Sequence, residues 1–324
     1  FMVTAEGEKM SKSLGNAIDV EDLLKQHGAD ICRWWTASLN YTHDMKVDWE
    51  FFRVASDEYR KVRNTLRFMI GNLADFDPAT HRVELTDDDR TSLEWWAMGE
   101  LATLVETVHR GYESYQFKRA AEAIFDFCND TMSSVYMAAA KDRLYCDPAD
   151  GPRRRRTQTV LYEIATSLIR LVAPILVHTA DEAWLALHGL EEESTECVHL
   201  ESLPERFEWD DEPGWATVME LRADVLKSLE KAKEDGIKNT LGAGIEAVVT
   251  AETLAALEPF SAELADLCGV SRFGLSAGDA PSVRVVDLRE EPRCERSWKR
   301  DGTVKERSDG GMLSDRDAAA VGVD

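Results

Sequence analysis

The sequence lacks any long uninterrupted run of apolar residues, and its positive charges are too few to balance its acidic residues. Its 324 residues include 38 Lys and Arg against 61 Asp and Glu, a formal net charge of −23 at pH 7. A membrane-spanning helix needs about 20 consecutive apolar residues, so we predict no membrane partner. An acidic chain repels nucleic acid at long range, and any RNA binding must therefore come from local basic patches.

Cysteines are few and show no paired spacing, which predicts reduced thiols in a cytoplasmic protein rather than a disulfide framework. They are Cys32, Cys128, Cys146, Cys197, Cys268 and Cys294. The sequence opens on Phe1 with neither an initiator Met nor a charged-then-apolar leader, so no targeting signal is recognised. A strand-like start at residues 1–4 leads directly into a polar loop. We therefore expect the chain to begin within a domain and to be the C-terminal piece of a longer protein.

A short polar stretch near the start combines two lysines with two hydroxyl side chains. It has the sequence KMSKS over residues 9–13 and continues with Leu14, Gly15 and Asn16. Because it has no hydrophobic period, we predict a mobile polar loop. A lysine is a compact charge on a flexible stem and can follow a phosphate whose charge grows during a reaction. A lysine pair on one loop therefore suits a triphosphate whose pyrophosphate departs, although composition alone also fits an ordinary surface loop.

Apolar residues three and four apart predict a series of amphipathic helices. Two short helices broken near Gly28 come first, and a long one follows over residues 49–73. Further helical stripes cover residues 93–115, 117–135, 161–171 and 179–187. Long helices with short connections predict an antiparallel bundle.

The composition changes after Gly189, where a polar connector begins. Residues 220–234 are predicted to be helical. Strands at 245–250 and 282–286 flank a predicted helix near 251–267, which together form a small α/β unit. Beyond Arg289 the tail is rich in Gly, Asp and Arg, and we predict that it is weakly structured.

The KMSKS stretch matches the signature loop of the aminoacyl-tRNA synthetases with a Rossmann-type catalytic domain. The loop alone fits the isoleucyl, valyl, leucyl, methionyl and cysteinyl enzymes, but later segments resemble isoleucyl-tRNA synthetase. They are GADICRWW at 28–35, YRKVRNTLRF at 59–68, KDRLY at 141–145, QTVLY at 158–162, APIL at 173–176, HTADE at 178–182 and VHL at 198–200. The resemblance is close over residues 1–204 and looser beyond.

This resemblance implies a mainly α fold with four segments. Residues 1–48 would be the end of a Rossmann-type catalytic domain with the KMSKS loop, and residues 49–204 an antiparallel helical anticodon-binding bundle. Residues 205–289 would form a small α/β C-terminal domain. Residues 290–324 would form a degenerate zinc-finger-like tail.

The resemblance also implies the chemistry of isoleucine–tRNA ligase: ATP-dependent activation of isoleucine and its transfer to tRNA(Ile), with Mg expected beside ATP. Lys12 would contact the ATP phosphates, while Lys9, Ser11 and Ser13 would shape the loop around them. The family's other phosphate-binding signature, its amino-acid pocket and its editing domain have no counterpart here. This fragment would therefore not catalyse alone, and the full-length enzyme would be a monomer.

Two sets of basic residues are candidates for tRNA contact. The densest is Arg153, Arg154, Arg155 and Arg156, for which phosphate contact and a solvated helix face remain equally open. Arg143 and Tyr145 could offer charge and stacking to an unstacked anticodon base, although Tyr145 also fits a core position. For Arg60, Arg63 and Arg67 the solvated face is the favoured interpretation. The tryptophans Trp34, Trp35, Trp95 and Trp96 are interpreted as packing.

The tail departs from the family pattern. Many bacterial isoleucyl enzymes end in a zinc site of two paired-cysteine motifs, the first followed by Trp. Here Cys294 is followed by Ser297 in the second ligand position, and Ser314 and Asp317 stand where the second pair would lie. One thiolate with two hydroxyls and a carboxylate is a poor zinc site. We predict a vestigial, metal-free module, and we interpret His178 and His199 as structural.

Two alternatives stay open beside the isoleucyl enzyme. The first is a freestanding tRNA-binding module without catalysis, which would have no use for an ATP loop. The second is a valyl- or leucyl-tRNA synthetase, because the pocket that selects the amino acid is not in this sequence.

Overall fold

A computed structural model describes the backbone of residues 1–324 and the side chains of all of them except Lys12. The chain is mainly helical, as predicted, and divides into two compact units. The first unit consists of Phe1–Asp75, Glu100–Ser133 and Leu161–Trp209, and the second of Phe76–Gly99, Ser134–Val160 and Asp210–Asp324. No helix of the part that the structure describes has the length and apolarity needed to cross a membrane.

The first unit opens with a strand, a loop and two short helices. In order they are β1 (Met2–Val3), a 3-10 turn at Lys12–Leu14, α1 (Val20–His27), α2 (Ala29–Ala37) and β2 (Met45–Lys46), which pairs in parallel with β1. Asp19 caps α1, since its carboxylate accepts hydrogen bonds from the backbone of Glu21 and Asp22. Gly28, at φ 82°, separates the two helices. The predicted break near Gly28 is confirmed.

The long helix α3 (Trp49–Asn72) follows, with Asp48 as its N-cap. Its buried face carries Phe52, Val62, Leu66 and Met69, the positions that the three–four spacing predicted.

The remaining helices of the bundle follow, after a connection over residues 73–92 that contains a 3-10 turn at Asp87–Asp89. They are α4 (Leu93–Glu113), α5 (Phe117–Asp126), a π-helical segment at Phe127–Tyr136, α6 (Met137–Cys146), α7 (Pro152–Val172) and α8 (Val177–His188). Trp34, Trp35 and Trp95 are buried, as expected of packing residues. The π-helical segment was not predicted, because its apolar spacing differs little from that of an α-helix.

The second unit contains a three-stranded sheet and its helices. In chain order its elements are α9 (Gly214–Glu234), β3 (Ala243–Val249), α10 (Ala251–Leu257), α11 (Ser261–Cys268), β4 (Arg272–Ala277) and β5 (Ser282–Asp287). The sheet order is β4-β3-β5; Ile245 of β3 lies opposite Phe273 in parallel and Val285 in antiparallel pairing. The predicted single helix at 251–267 is wrong, because a 3-10 turn containing Pro259 divides it.

The tail is ordered, contrary to the sequence prediction. A short antiparallel pair, β6 (Lys305–Glu306) and β7 (Met312–Leu313), leads into α12 (Asp315–Val321). Cys294, Leu313 and Ala318 form a small buried cluster with Val304 packed against it. Local composition did not predict this cluster because its members are scattered over 25 residues, from 294 to 318.

Candidate functional site

The KMSKS loop is closed by the side chain of Asn16. The Asn16 Oδ1 accepts from the Ser11 N–H at 3.0 Å, and its Nδ2 donates to the Lys9 carbonyl at 3.2 Å. An isolated bridge joins Val3 to Lys9, and the Met10 N–H donates to the Met2 carbonyl at 3.2 Å. The loop is therefore tied at its base to β1 and held across its mouth by one amide side chain.

Polar side chains of this loop point to solvent. Lys9 is exposed, and its Nζ lies 5.4 Å from the centre of the Phe1 ring. The Ser11 and Ser13 hydroxyls lie 3.2 Å apart, and the Ser11 Oγ also accepts from the Leu14 N–H at 3.3 Å. The Lys12 side chain lies outside the described residues, so its predicted phosphate contact remains a prediction.

Asn16 is a candidate loop-positioning residue, which the sequence argument quoted without assigning it a role. It follows Gly15, which adopts φ 63° and turns the chain out of the 3-10 segment. An amide side chain directly after such a turn can bond backbone groups on both sides of a loop, and this was the available signal. An exposed lysine on a backbone-anchored loop can approach a phosphate without a large conformational change.

Arg143 lies in the second unit and has no exposed surface. Its Nη1 is 3.0 Å from Glu94, and its Nη2 is 2.7 Å from Glu263 and 3.4 Å from Asp266. Burial disfavours the charged guanidinium, but the attraction of Glu94 and Glu263 still raises the pKa of Arg143 well above its ordinary value. The predicted tRNA contact by Arg143 is corrected: its charge serves a buried ion cluster and faces no solvent.

The basic run 153–156 begins α7, and all four arginines are half-buried. Arg153 forms a two-pronged pair with Asp147, at 2.7 and 2.8 Å. Arg156 is ion-paired with Asp89. These two guanidinium groups are therefore largely neutralised by carboxylates of their own unit.

The two middle arginines of the run are also engaged within the protein. The Arg154 Nε donates to the Leu144 carbonyl at 3.0 Å, and the Arg155 Nη1 donates to the Gln158 side chain at 2.9 Å. Since all four side chains have internal partners, their contacts stabilise the connection between α6 and α7. The predicted role of Arg153, Arg154, Arg155 and Arg156 in tRNA contact stays a prediction.

A cavity of about 510 Å³ lies in the second unit, beside the end of α6. Its lining includes Lys141, Tyr145, Arg296, Trp298 and Lys299. The two aromatic side chains are open to solvent, with Tyr145 55% and Trp298 51% exposed. The Arg293 guanidinium lies over the Trp298 ring, 5.3 Å from its centre. Exposed aromatic side chains with neighbouring cations have the surface chemistry that stacks a base and holds its phosphate.

The loop that carries Trp298 has a constrained backbone. Trp298 adopts φ 63°, which is uncommon outside glycine and costs free energy. The Trp298 N–H donates to the Cys294 carbonyl at 3.0 Å, and the Cys294 N–H donates to the Lys299 carbonyl at 2.9 Å. Arg296 donates to the Tyr145 and Cys146 carbonyls at 3.1 and 3.3 Å, which fixes the loop to the end of α6. Sequence reasoning did not single out Arg296 or Trp298 as binding residues.

Comparisons with known proteins give family matches for the segment that carries the KMSKS loop and for the segment that carries α6 and α7. Residues 1–48, which contain the KMSKS loop, match the family described as "tRNA synthetases class I (I, L, M and V)". Residues 94–247, which contain α6 and α7, match the "Anticodon-binding domain of tRNA ligase". The isoleucine–tRNA ligase of Halalkalibacterium halodurans is 38% identical over 94% of this chain and 34% of its own length. That of Moorella thermoacetica is 38% identical over 99% of this chain and 36% of its own.

The chain is similar to class I tRNA synthetases over nearly its whole length. The resemblance to their isoleucyl members is confirmed by these relatives, of which the chain spans about a third of the length. A solved structure of Mycobacterium tuberculosis methionyl-tRNA synthetase with methionyl-adenylate covers 59% of this chain and 38% of its own, at 21% identity and a TM-score of 0.45. That likeness is too weak to support the fold.

The tail of this chain does not fit a zinc ion. Asp317 Oδ2 lies 2.9 Å from the Cys294 Sγ, 2.5 Å from the Ser297 Oγ and 3.0 Å from the Ser314 Oγ. These are hydrogen-bond distances. Neighbouring ligands of tetrahedral zinc, with bonds of about 2.0–2.3 Å, are separated by roughly 3.3 Å or more. A single thiol with two hydroxyls is also a weak donor set.

Another group of potential metal ligands lies in the first unit. Among the described residues, Asp181, Cys197 and His199 are the group of three whose ligand atoms all lie within 4.8 Å of one another. The His199 ring Nε2 already lies 3.1 Å from the Val177 carbonyl, and the His199 N–H lies 3.4 Å from the Cys197 Sγ. These contacts agree with the structural role predicted for His199.

Proposed function

We propose that this chain is the C-terminal part of an isoleucine–tRNA ligase. The complete enzyme would activate isoleucine with ATP and transfer it to tRNA(Ile). The observation that carries the proposal is the identity of about 38% to isoleucine–tRNA ligases over nearly the whole chain. The KMSKS loop disfavours the alternative of a tRNA-binding module without catalysis, because such a module needs no phosphate-binding lysines.

The first part of the proposal concerns ATP, which would bring magnesium with it. Adenylate formation requires positioning and charge stabilisation rather than a side-chain nucleophile. Lys12 would neutralise charge that develops on the departing pyrophosphate. Lys9, Ser11 and Ser13 would shape the loop, and the Asn16 hydrogen bonds described above would hold its backbone in place for that contact.

The second part of the proposal concerns tRNA. We assign the contact to the cavity beside α6, where Tyr145 and Trp298 would stack on unpaired bases. Arg296 and Lys141 would face the phosphates. Both are exposed, and Lys141 has no ion-pair partner among the described residues. This local positive charge is what an otherwise acidic chain needs to hold RNA.

The proposal also includes the domain boundaries, the cellular location and the oligomeric state. The division into 1–48, 49–204, 205–289 and 290–324 is supported at its start by the family match to residues 1–48, whereas the second match extends to residue 247. A cytoplasmic location agrees with the absence of disulfides among the described residues. The full-length enzyme would act as a monomer.

A binding experiment on this chain tests the tRNA assignment. Trp298→Ala should weaken binding of a tRNA(Ile) transcript, since one stacking contact is worth about 1–3 kcal/mol, or roughly 5- to 150-fold. Tyr115→Ala is a matched control, because Tyr115 is also an exposed aromatic at positive φ, 67% exposed at φ 56°. Equal affinities for both variants would remove the cavity from the proposal. No preference of the wild-type chain for tRNA(Ile) over an unrelated tRNA would refute the function itself.

A further inference from the structure

The tail contains a buried carboxylate, Asp317, which occupies one of the four positions that the isoleucyl family would use as zinc ligands and is bonded to the side chains at the other three. We propose that Asp317 replaces the metal: its carboxylate ties the loop at 294–298 to the turn at 314–317 by hydrogen bonds. The side chains of Asp317 and Cys294 have no exposed surface, and Ser314 is 1% exposed. The group is therefore enclosed and does not depend on solvent for its contacts.

Each oxygen of this carboxylate accepts at least one hydrogen bond. Oδ2 accepts from the Cys294 thiol and from the Ser297 and Ser314 hydroxyls, and Oδ1 pairs with Arg316 at 3.0 Å. The Asp317 N–H returns a hydrogen bond to the Ser314 Oγ at 3.1 Å. Hydrogen bonds to an ionised acceptor are shorter and stronger than neutral ones, so four of them can fix a small loop.

The replacement is chemically consistent. A zinc ion is a positive centre that gathers negative thiolates. Here the centre is negative, and the surrounding groups are neutral donors with one guanidinium. When hydroxyls take the place of thiolates and a carboxylate takes the place of the metal, the side chains still point to one centre. The centre is then negative instead of positive. Changing only one member of the set would leave a buried group without a partner, which is costly.

The carboxylate is also connected to the wall of the cavity. Arg316 bridges Asp317 to Asp142 of α6, with its Nη2 3.0 Å from one oxygen of each. Lys299 pairs with the same Asp142 at 3.2 Å. The loop segment between Ser297 and Lys299 carries Trp298. Asp317 is therefore a positioning residue for Trp298, and this part of the inference rests on the proposed function.

Thiol labelling tests the cluster without tRNA. In the whole chain, alkylation of Cys294 by N-ethylmaleimide, followed by mass spectrometry of its peptide, reports opening of the tail. Asp317→Asn should raise the labelling rate by about tenfold or more, because the amide is neutral and its NH2 group would face either the three donors now at Oδ2 or the Arg316 guanidinium now at Oδ1. Asp309→Asn is the matched control, since this exposed turn carboxylate accepts only from the Gly311 N–H at 2.9 Å, which asparagine can also do. Labelling of D317N at the wild-type rate would overturn the proposal.

Restoring the four cysteines tests the equivalence of carboxylate and metal. The variant S297C/S314C/D317C, together with native Cys294, should bind about one zinc per chain and become sensitive to a chelator. Wild type should hold no stoichiometric zinc, and a chelator should leave its Cys294 labelling unchanged. Stoichiometric zinc in wild type, or failure of the four-cysteine variant to bind zinc, would refute the replacement.

A third measurement separates this inference from the proposed function. D317N should lose tRNA affinity, and the four-cysteine variant should regain it with zinc and lose it again with a chelator. If Cys294 labelling responds to D317N while tRNA affinity does not, the carboxylate centre stands and the cavity is not the tRNA site. If neither responds, the carboxylate centre fails.

Discussion

Arg143 and Glu94 form an ion pair in the second unit with neither side chain exposed, their nearest N and O atoms 3.0 Å apart. Thr157 donates a further hydrogen bond to the same Glu94 at 2.6 Å. A buried charge is tolerated only when it is paired and hydrogen-bonded. The pair therefore makes α4 and α6 mutually dependent: without Arg143 the buried Glu94 loses its nearest cation, whereas without Glu94 the guanidinium keeps Glu263 and Asp266.

Replacing Arg143 by Gln should destabilise the chain strongly. Glu94, Glu263 and Asp266 would lose their shared cation, and breaking a buried pair in this way costs about 3–5 kcal/mol. Urea unfolding followed by circular dichroism measures the loss. Arg60→Gln is the control, because Arg60 pairs with Asp57 on the exposed surface of α3 and such pairs contribute about 0–1 kcal/mol. Similar small losses in both variants would contradict the buried cluster.

The sequence predicted the elements whose information is local. The three–four spacing of α3, the Asp19 cap and the break at Gly28 all depend on residues within a few positions of one another. The β4 strand was missed because RFGLSA mixes an arginine and a glycine into a short run and shows no clear alternation. The KMSKS loop was recognised because the residues that indicate its chemistry are consecutive in the sequence.

The roles of charged residues could not be predicted in the same way. KDRLY gives no sign that its arginine is buried, since the partners Glu94 and Glu263 lie 49 and 120 residues away. Four consecutive arginines similarly resemble a solvated basic patch, whereas Arg156 meets Asp89 over 67 positions. Whether a charge is free depends on tertiary contacts that no local pattern contains. For the same reason Trp298 could not be recognised as part of a cavity wall.

Reversing a charge in the basic run at 153–156 should lower the stability of the fold rather than weaken a direct contact with tRNA. Arg153→Glu would place a carboxylate against Asp147, now 2.7 Å from the arginine Nε, and also remove a cation 3.5 Å from Asp266. We expect a lower unfolding midpoint in urea. Lys141→Glu, on an exposed position of α6, is the matched control: it should leave the midpoint unchanged and flatten the salt dependence of tRNA binding. The reverse assignment of effects would restore the run as the tRNA contact.

Stability should depend on pH through Asp142. Burial alone would raise the pKa of this carboxyl, but the hydrogen bond from Arg316 and the charge of Lys299 lower it to about 2. The unfolded value is about 3.9, so the folded state binds the proton less tightly. The resulting stabilisation, on the order of 2–3 kcal/mol, is therefore present above about pH 4 and is lost as the pH falls toward 2.

The variant Asp142→Asn tests the direction of this pH dependence. The variant should be less stable than wild type at pH 7, and the difference in unfolding free energy should shrink as the pH is lowered from 5 to 3. Urea titrations at several pH values measure it. Asp57→Asn is a control for a surface carboxylate that is also paired with an arginine, because Asp57 meets Arg60 at 2.8 Å in an exposed position of α3. A constant difference between D142N and wild type across this range would contradict the assignment.

The KMSKS loop supplies the last prediction, which requires the full-length enzyme. Lys12→Ala should slow isoleucine-dependent ATP–pyrophosphate exchange by about 10²–10³, the usual effect of losing one electrostatic contact to the transition state. Asn16→Ala should slow it less, because it removes only the Oδ1 and Nδ2 hydrogen bonds that hold the loop backbone. Lys25→Ala is the control, since this exposed lysine of α1 lies 3.9 Å from Glu21 and away from the loop. All three variants should keep the wild-type melting temperature.

Unchanged exchange in Lys12→Ala would mean that the loop does not carry the phosphate contact. A loss in Asn16→Ala as large as that in Lys12→Ala would instead make loop geometry the dominant factor.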